Sequence, residues 1–490
     1  MDDKKLPATP ETRNRLYENM GKTIEMFSPT LKKHIILKEL LNENALNNES
    51  RIFDAFLSLS IYTQYTSIEL ASVLRACFRA NLPAEKRYNI KWINCVILET
   101  YKHLYGYGGK RQKSLWILHI KSVLELVNDS KLIQDCSDLE NHIIEFGKSE
   151  ITSVEQRNLS FHYDIEPISV YEMLMKLSEE EEGQRLISFM KLLEEITFFT
   201  AKYIGKYKVT ISEEPKLISK YAFTLSEFDI FQNKGDILLS VSENAIKKHA
   251  EQLDGFIRHQ NIPAKINQHF ESLDKESVAP IHRLLEIEKV AIQLTFLYID
   301  LASALKAFIS SEYVLEKQLS LKQVNTIIYE GFNKIYGLDD DSQNSFWRKY
   351  ICPVISQTTD ITTLSDFDSM DKELQKLKLI IKSFGNQRQL SVHIDKGIIE
   401  VYSMLYNMNP FKELKKALLL LNFLPKVLDF LTKCLNVIGE NSKIIHDKKM
   451  AATYEKMDNI ISLIKKSPNT QQKEDLIKML GKFKTGEFFE

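Results

Sequence analysis

Two short segments of this chain carry the same pair of side chains suited to chemistry at a phosphate. Arg157 precedes His162 by five residues, and Arg388 precedes His393 by the same five. Histidine has an unperturbed pKa of about 6.5, close to neutrality, so two of them could serve in turn as base and acid. Arginine supplies a permanent planar cation whose fork matches phosphate oxygens. Metal-free cleavage of RNA needs a base for the 2′-OH, an acid for the leaving 5′-oxygen and cations for the charge developing on phosphorus. The four residues together hold that set. Five residues along an ideal helix turn through about 140°, so each Arg and His would flank a groove rather than share one face. The plainer alternative is that Arg157 and Arg388 form structural ion pairs, with Asp164 and Asp395 as partners, while the histidines cap helices.

In a chain of this composition an Arg followed by a His at about this distance is expected roughly once by chance, so the weight lies in where the two pairs fall. Sliding the sequence against itself until Glu69 falls on Asp300 aligns Glu69–Ala76 with Asp300–Ala307, Tyr105 and Gly106 with Tyr336 and Gly337, and Ser114 and Trp116 with Ser345 and Trp347. The same offset superposes the two Arg/His segments: from Gln156 to Leu174, 11 of 19 positions are identical to Gln387–Leu405. Chance identity is about 1 in 16, so the two halves share an ancestor and the chain is a tandem duplication.

The segment Arg157-Asn158-Leu-Ser-Phe-His162-Tyr-Asp resembles the signature of the HEPN superfamily, helical domains in which an Arg and a following polar residue precede a His by four to six positions. Many members of that family are metal-independent ribonucleases in which two domains pair to form one composite site. The resemblance implies two tandem HEPN-like helical lobes closed into an intramolecular pseudo-dimer. It implies Arg157, His162, Arg388 and His393 as the catalytic set, with Asn158 and Gln389 in support. Gln389 departs from the commoner Asn, Asp or His of the pattern. Single-stranded RNA is the implied substrate, no cofactor is called for, and a regulatory protein is a possible partner. A role as toxin or phage-defence effector follows only by analogy. Other members of the family are inactive, so the alternative function is a non-catalytic helical scaffold binding a protein or nucleotide.

The elements that must position these residues read as helices. Glycine and proline total 28 of 490 residues, about half their usual share, which favours long helices and a mainly α fold. Apolar residues recur at three-to-four spacing over Tyr62–Ala80 and Trp92–Leu104, and again over Tyr298–Val314 and Val324–Ile335. Pro167 opens a helix reaching about Leu177, a second covers Gly183–Tyr203, and its counterpart Phe411–Val437 should break or kink at Pro425. The acidic run Glu179–Glu182 reads as a solvated linker or helix start. Between the halves, Tyr207–Ser212, Ala222–Phe231 and Asp236–Ser242 alternate apolar and polar residues, predicting a small β meander. The expected division is a first lobe over 1–205, a β insert over 206–243 and a second lobe over 244–490.

Other chemistries are excluded or weak. The net charge of -1 lacks the basic excess of a non-specific nucleic-acid binder, so any polyanion contact must be local. One such patch is the loop bearing Tyr107, Lys110, Arg111 and Lys113, which could touch RNA by stacking and charge. No phosphate-binding Gly-rich loop, HExxH or GxSxG occurs. The five cysteines are scattered without CxxC spacing, so neither a disulfide framework nor a metal site is indicated. The start Met1-Asp-Asp-Lys-Lys lacks the apolar core of a signal peptide, and the apolar run Ala417–Leu431 is too short to span a bilayer. The expectation is a cytoplasmic protein without a membrane segment, with that run as a buried core helix.

Overall fold

A computed structural model describes residues 10–42, 47–106, 112–151, 167–206, 235–270, 275–338, 343–382, 398–465 and 478. The fold is mainly α, and no strand occurs among the described residues. The helices form two successive sets. The first comprises α1 (Pro10–Asn42), α2 (Asn48–Arg79), α3 (Pro83–Leu104), a π-helical turn π1 (Trp116–Lys121), α4 (Ser122–Leu124), α5 (Ser130–Glu150), α6 (Pro167–Lys176) and α7 (Glu179–Ile204). The second comprises α8 (Gly235–Phe270), α9 (Lys275–Ser310), α10 (Val314–Ile335), π2 (Trp347–Ile351), α11 (Cys352–Ile355), α12 (Ile361–Lys382), α13 (Ile398–Asn407) and α14 (Pro410–Lys465).

Local sequence explains where these helices begin. The side chain of Asn47 accepts from Ser50 N at 2.8 Å ahead of α2, Asp129 from Lys131 N and Leu132 N ahead of α5, and Ser178 from Glu181 N ahead of α7. Pro83, Pro167 and Pro410 stand at first helical positions, where a missing N–H is no loss. Glu85, in the first turn of α3, accepts from Asn81 N at 3.2 Å, and Glu316 in α10 accepts from Glu312 N at 3.0 Å, the same cap repeated in the second half.

The offset that carries Glu69 to Asp300 governs the whole architecture. It carries both ends of α3 onto those of α10, and both ends of α6 onto those of α13. Each set places a π-helical turn at a buried Trp, Trp116 or Trp347. Each follows its third helix with a glycine in the left-handed region, Gly106 at φ 80° and Gly337 at φ 84°. The tyrosine before each glycine donates to an equivalent carboxylate, Tyr105 to Glu140 at 2.8 Å and Tyr336 to Asp371 at 3.0 Å.

Packing between the sets is reciprocal. Helix α3 lies against α8 and α9, and its counterpart α10 lies against α1 and α2. Helix α6 lies against α9, and its counterpart α13 lies against α2. One large apolar cluster runs through both sets, joining Leu31, Leu57 and Ile68 to Leu297, Leu301, Val324 and Leu424. A second cluster around Phe56, Trp116, Phe189 and Ile196 belongs to the first set alone.

Charge is buried along the seam. Lys91 meets Asp300 at 2.5 Å, and Lys322 meets Glu69 at 2.6 Å; the offset maps one pair onto the other with the halves exchanged. Lys306 meets Glu85 at 2.7 Å while Arg75 meets Glu316 at 3.4 Å, a second exchanged pair. Buried ions are tolerated only where partners and geometry are specified, so such pairs fix the register in which the two sets can meet.

Two expectations are corrected. Asp236–Ser242, the third run of the predicted meander, lies within α8, and the boundary drawn between 243 and 244 falls inside that helix. Short apolar runs satisfy strand and helix periods alike, and here continuation to Phe270 decides for helix. The other two runs, Tyr207–Ser212 and Ala222–Phe231, lie outside the described residues. Pro425 does not end its helix: α14 continues to Lys465. The lost backbone bond is outweighed by the buried row Phe423, Leu424, Val427, Phe430 and Leu431 around it. Of the two readings of the acidic run, the helix start holds: Glu179–Glu182 form the first turn of α7, with Glu182 5% exposed. Helix α9 is long and apolar enough from His282 to Ser310 to cross a membrane, yet 89% of its most apolar stretch is buried inside the fold, which makes it a core helix.

Candidate functional site

Arg157, Asn158 and His162, and likewise Arg388, Gln389 and His393, lie outside the described residues, as do Tyr107, Lys110 and Arg111. Lys113 is described and exposed, in the turn before π1. The described helices that flank the two Arg/His segments are α5 and α6 in the first set and α12 and α13 in the second.

An Asn, a Glu and a cation recur at equivalent positions in both sets. Arg185, in the second turn of α7, donates to Glu182 at 2.9 Å and to the amide oxygen of Asn94 on α3 at 3.3 Å, and stands 4.0 Å from Glu150, the last residue of α5. In the second set Lys416 pairs with Glu413 at 3.3 Å, and Glu413 is hydrogen-bonded to Asn325. The duplication offset pairs Asn94 with Asn325, Glu182 with Glu413, and Arg185 with Lys416. Burial pushes the Glu182 and Glu413 carboxyls up, with the neighbouring cation opposing it, and burial lowers Lys416. In the first set the paired Arg185 stands beside the last residue of α5, where the chain leaves toward the Arg/His segment. No motif points to this triad; the signal that could have found it is the match of residue type at the offset.

The returning end crosses the seam. Ile151, after α5, packs on the first-set core, whereas Ile168, Val170, Tyr171, Met173 and Leu174 of α6 pack with Ile246, Leu253, Ile257, Ile292 and Phe296 of α8 and α9. Tyr171 donates to Asp254 at 3.0 Å. Helix α13 does the reverse, burying Val401, Tyr402 and Leu405 in the cluster that contains Leu31, Leu57 and Ile61. Its Tyr402 and Tyr406 rings lie 4.4 Å apart with their hydroxyls hydrogen-bonded at 2.7 Å. The helix before the first Arg/His segment therefore packs on its own half, and the helices after both segments pack partly on the opposite half.

Two of the five thiols are held back by burial. Cys136 and Cys434 are buried, and burial pushes both thiols up to about 12, far from thiolate formation at neutral pH. Among the described residues no group of three or more His, Cys, Asp or Glu is placed to hold a metal ion. No known protein family, curated protein or solved structure matches this chain.

Proposed function

We propose that the chain is a fused pair of HEPN-like helical lobes, closed on each other by a pseudo-two-fold seam, and that it cuts RNA without a metal at one composite site. The reading rests on the exchange of α6 and α13 across the seam. Reciprocal contacts of this kind belong to closed two-fold pairings, and they bring the helices that follow the two Arg/His segments to the same interface. In this proposal His162 and His393 share the base and acid roles, while Arg157 and Arg388 hold the phosphate. A restrained cytoplasmic activity of this kind suits a toxin or defence effector.

The test is cleavage of single-stranded RNA by the purified chain in excess EDTA. Products should carry 2′,3′-cyclic phosphate ends, because the 2′-OH is the nucleophile. His162→Ala and His393→Ala should each remove nearly all cleavage, and the double variant should be little worse than either, since residues working as one unit are strongly non-additive. Retention of about half the activity by each single variant would mean two separate sites and end the composite proposal.

A further inference from the structure

The two sets of helices stop resembling one another at the ends of the seam. At one end Lys306 is shared by Glu85 at 2.7 Å and Glu243 at 2.8 Å, one cation against two carboxylates. At the opposite end Arg75 and Arg79 meet Glu312 at 2.5 Å and Glu316 at 3.4 and 2.7 Å. Arg13 shares a cavity wall with Arg79 in this second group, which brings the cations to three against two.

A cavity of about 430 Å³ opens at the Arg75 end, lined by Pro10, Arg13, Asn14, Tyr17, Phe78 and Arg79. The α1 residues are spaced by three, one and three, so they share one helix face, and Phe78 and Arg79 come from the last turn of α2. The duplication offset pairs these six with Val241, Asn244, Ala245, Lys248, Ile309 and Ser310, among which there is neither an arginine nor an aromatic ring. The cavity's chemistry thus belongs to one end of the seam only.

Two of its walls, Tyr17 and Arg79, are fixed in advance. The Arg75 guanidinium lies 3.8 Å from the Tyr17 ring centroid and donates to the Tyr17 hydroxyl at 2.8 Å, and that hydroxyl donates to Glu312 at 2.7 Å. Arg79 is held by the Ser310 carbonyl at 2.8 Å and Glu316 at 2.7 Å, while its buried Nε–H has no acceptor. Arginines suit phosphate, aromatic walls suit a base, and an amide at Asn14 suits a polar edge. The volume lies in the range of small-ligand sites. Free phosphate would leave the aromatic walls unfilled, and an uncharged aromatic would leave the arginines unused.

We propose that this cavity binds a nucleoside monophosphate, with its phosphate on Arg13 and Arg79 and its base against Phe78 and Tyr17. Since Arg79 also bonds Ser310 and Glu316 of the second set, the bound ligand rests directly on the seam.

Calorimetric titration of the full chain with adenosine monophosphate tests this, with adenosine and inorganic phosphate as separate titrants. One site per chain is expected, with the nucleotide bound at least about tenfold more tightly than either fragment. Arg13 is exposed, so Arg13→Ala should weaken the nucleotide about tenfold with an unchanged melting curve. Phe78→Ala should weaken the nucleotide and leave inorganic phosphate unaffected. Absence of saturation by about 10 mM nucleotide, two equivalents per chain, or equal affinity for nucleotide and phosphate would overturn the proposal. The readout is binding, so none of these results bears on RNA cleavage.

Discussion

At the scale of single residues, two histidines with lowered pKa, the half-buried His34 and the buried His249, make the fold sensitive to mildly acidic pH. The His34 ring sits between α1 and α2, with Ser60 Oγ and Gln64 Nε2 each 3.3 Å from its Nδ1, and burial lowers its pKa. Burial likewise lowers His249, whose ring lies 3.9 Å centroid to centroid from that of Tyr298. A histidine whose folded pKa lies below its unfolded value of about 6.5 binds fewer protons in the folded state. Its contribution is therefore present above about pH 6.5 and is lost as the pH falls through the folded pKa. Melting temperature should drop between about pH 7 and 5, and His34→Gln should flatten part of that slope, because glutamine keeps a polar side chain without a titration in this range. A slope unchanged in the variant would show that His34 is not among the groups responsible. The triads at Arg185 and Lys416 work differently, holding charge in place rather than exchanging it.

Among the elements, the left-handed turns after α3 and α10 are the most constrained points of the fold. Gly106 accepts φ 80° and Gly337 φ 84°, where a Cβ would meet the backbone. The Gly106 N–H reaches back to the Tyr101 carbonyl at 3.3 Å, closing the end of α3. Alanine at either position should cost about 1–2 kcal/mol in urea unfolding. The two costs should add within about 0.5 kcal/mol if the turns act independently. A double variant much less destabilised than that sum would mean that the turns relax together. Helix α14 shows the opposite balance, since a proline that would end an isolated helix is overruled by the buried apolar row on either side of it.

Across the whole molecule, the seam should make the halves unfold as one. Lys322 and Glu69 are each 3% exposed and 2.6 Å apart, and Lys322 also donates to Tyr65 at 3.0 Å. Lys322→Met removes the cation and leaves the Glu69 carboxylate buried without it, at a cost of about 3–5 kcal/mol. Fluorescence from Trp92 and Trp116 on one side and Trp347 on the other should report one shared urea midpoint, lower in the variant but still common to both halves, because the larger apolar cluster runs through both sets. Two separated midpoints in the unsubstituted chain would show that the seam does not couple the halves.

By itself the sequence determined the helical class, from its scarcity of glycine and proline, and the duplication, from the constant offset between matching segments. Core stretches such as Trp92–Leu104 and Val324–Ile335 were legible because burial on one face imprints a helical period on apolar residues. Helices α1, α5, α8 and α12 escaped that reading, and the start of α8 passed for a strand, because short alternating runs fit both periods. Tertiary structure decided what no linear pattern records: which half each element packs on. Lys91 and Asp300 are 209 positions apart, and nothing in either neighbourhood names the other as partner. Likewise the Arg/His spacing is written in the chain, but the anchoring of α6 and α13 on opposite halves is not. Burial and charge pairing are set by distance in space, and only the folded chain brings residues so far apart in sequence to the same point.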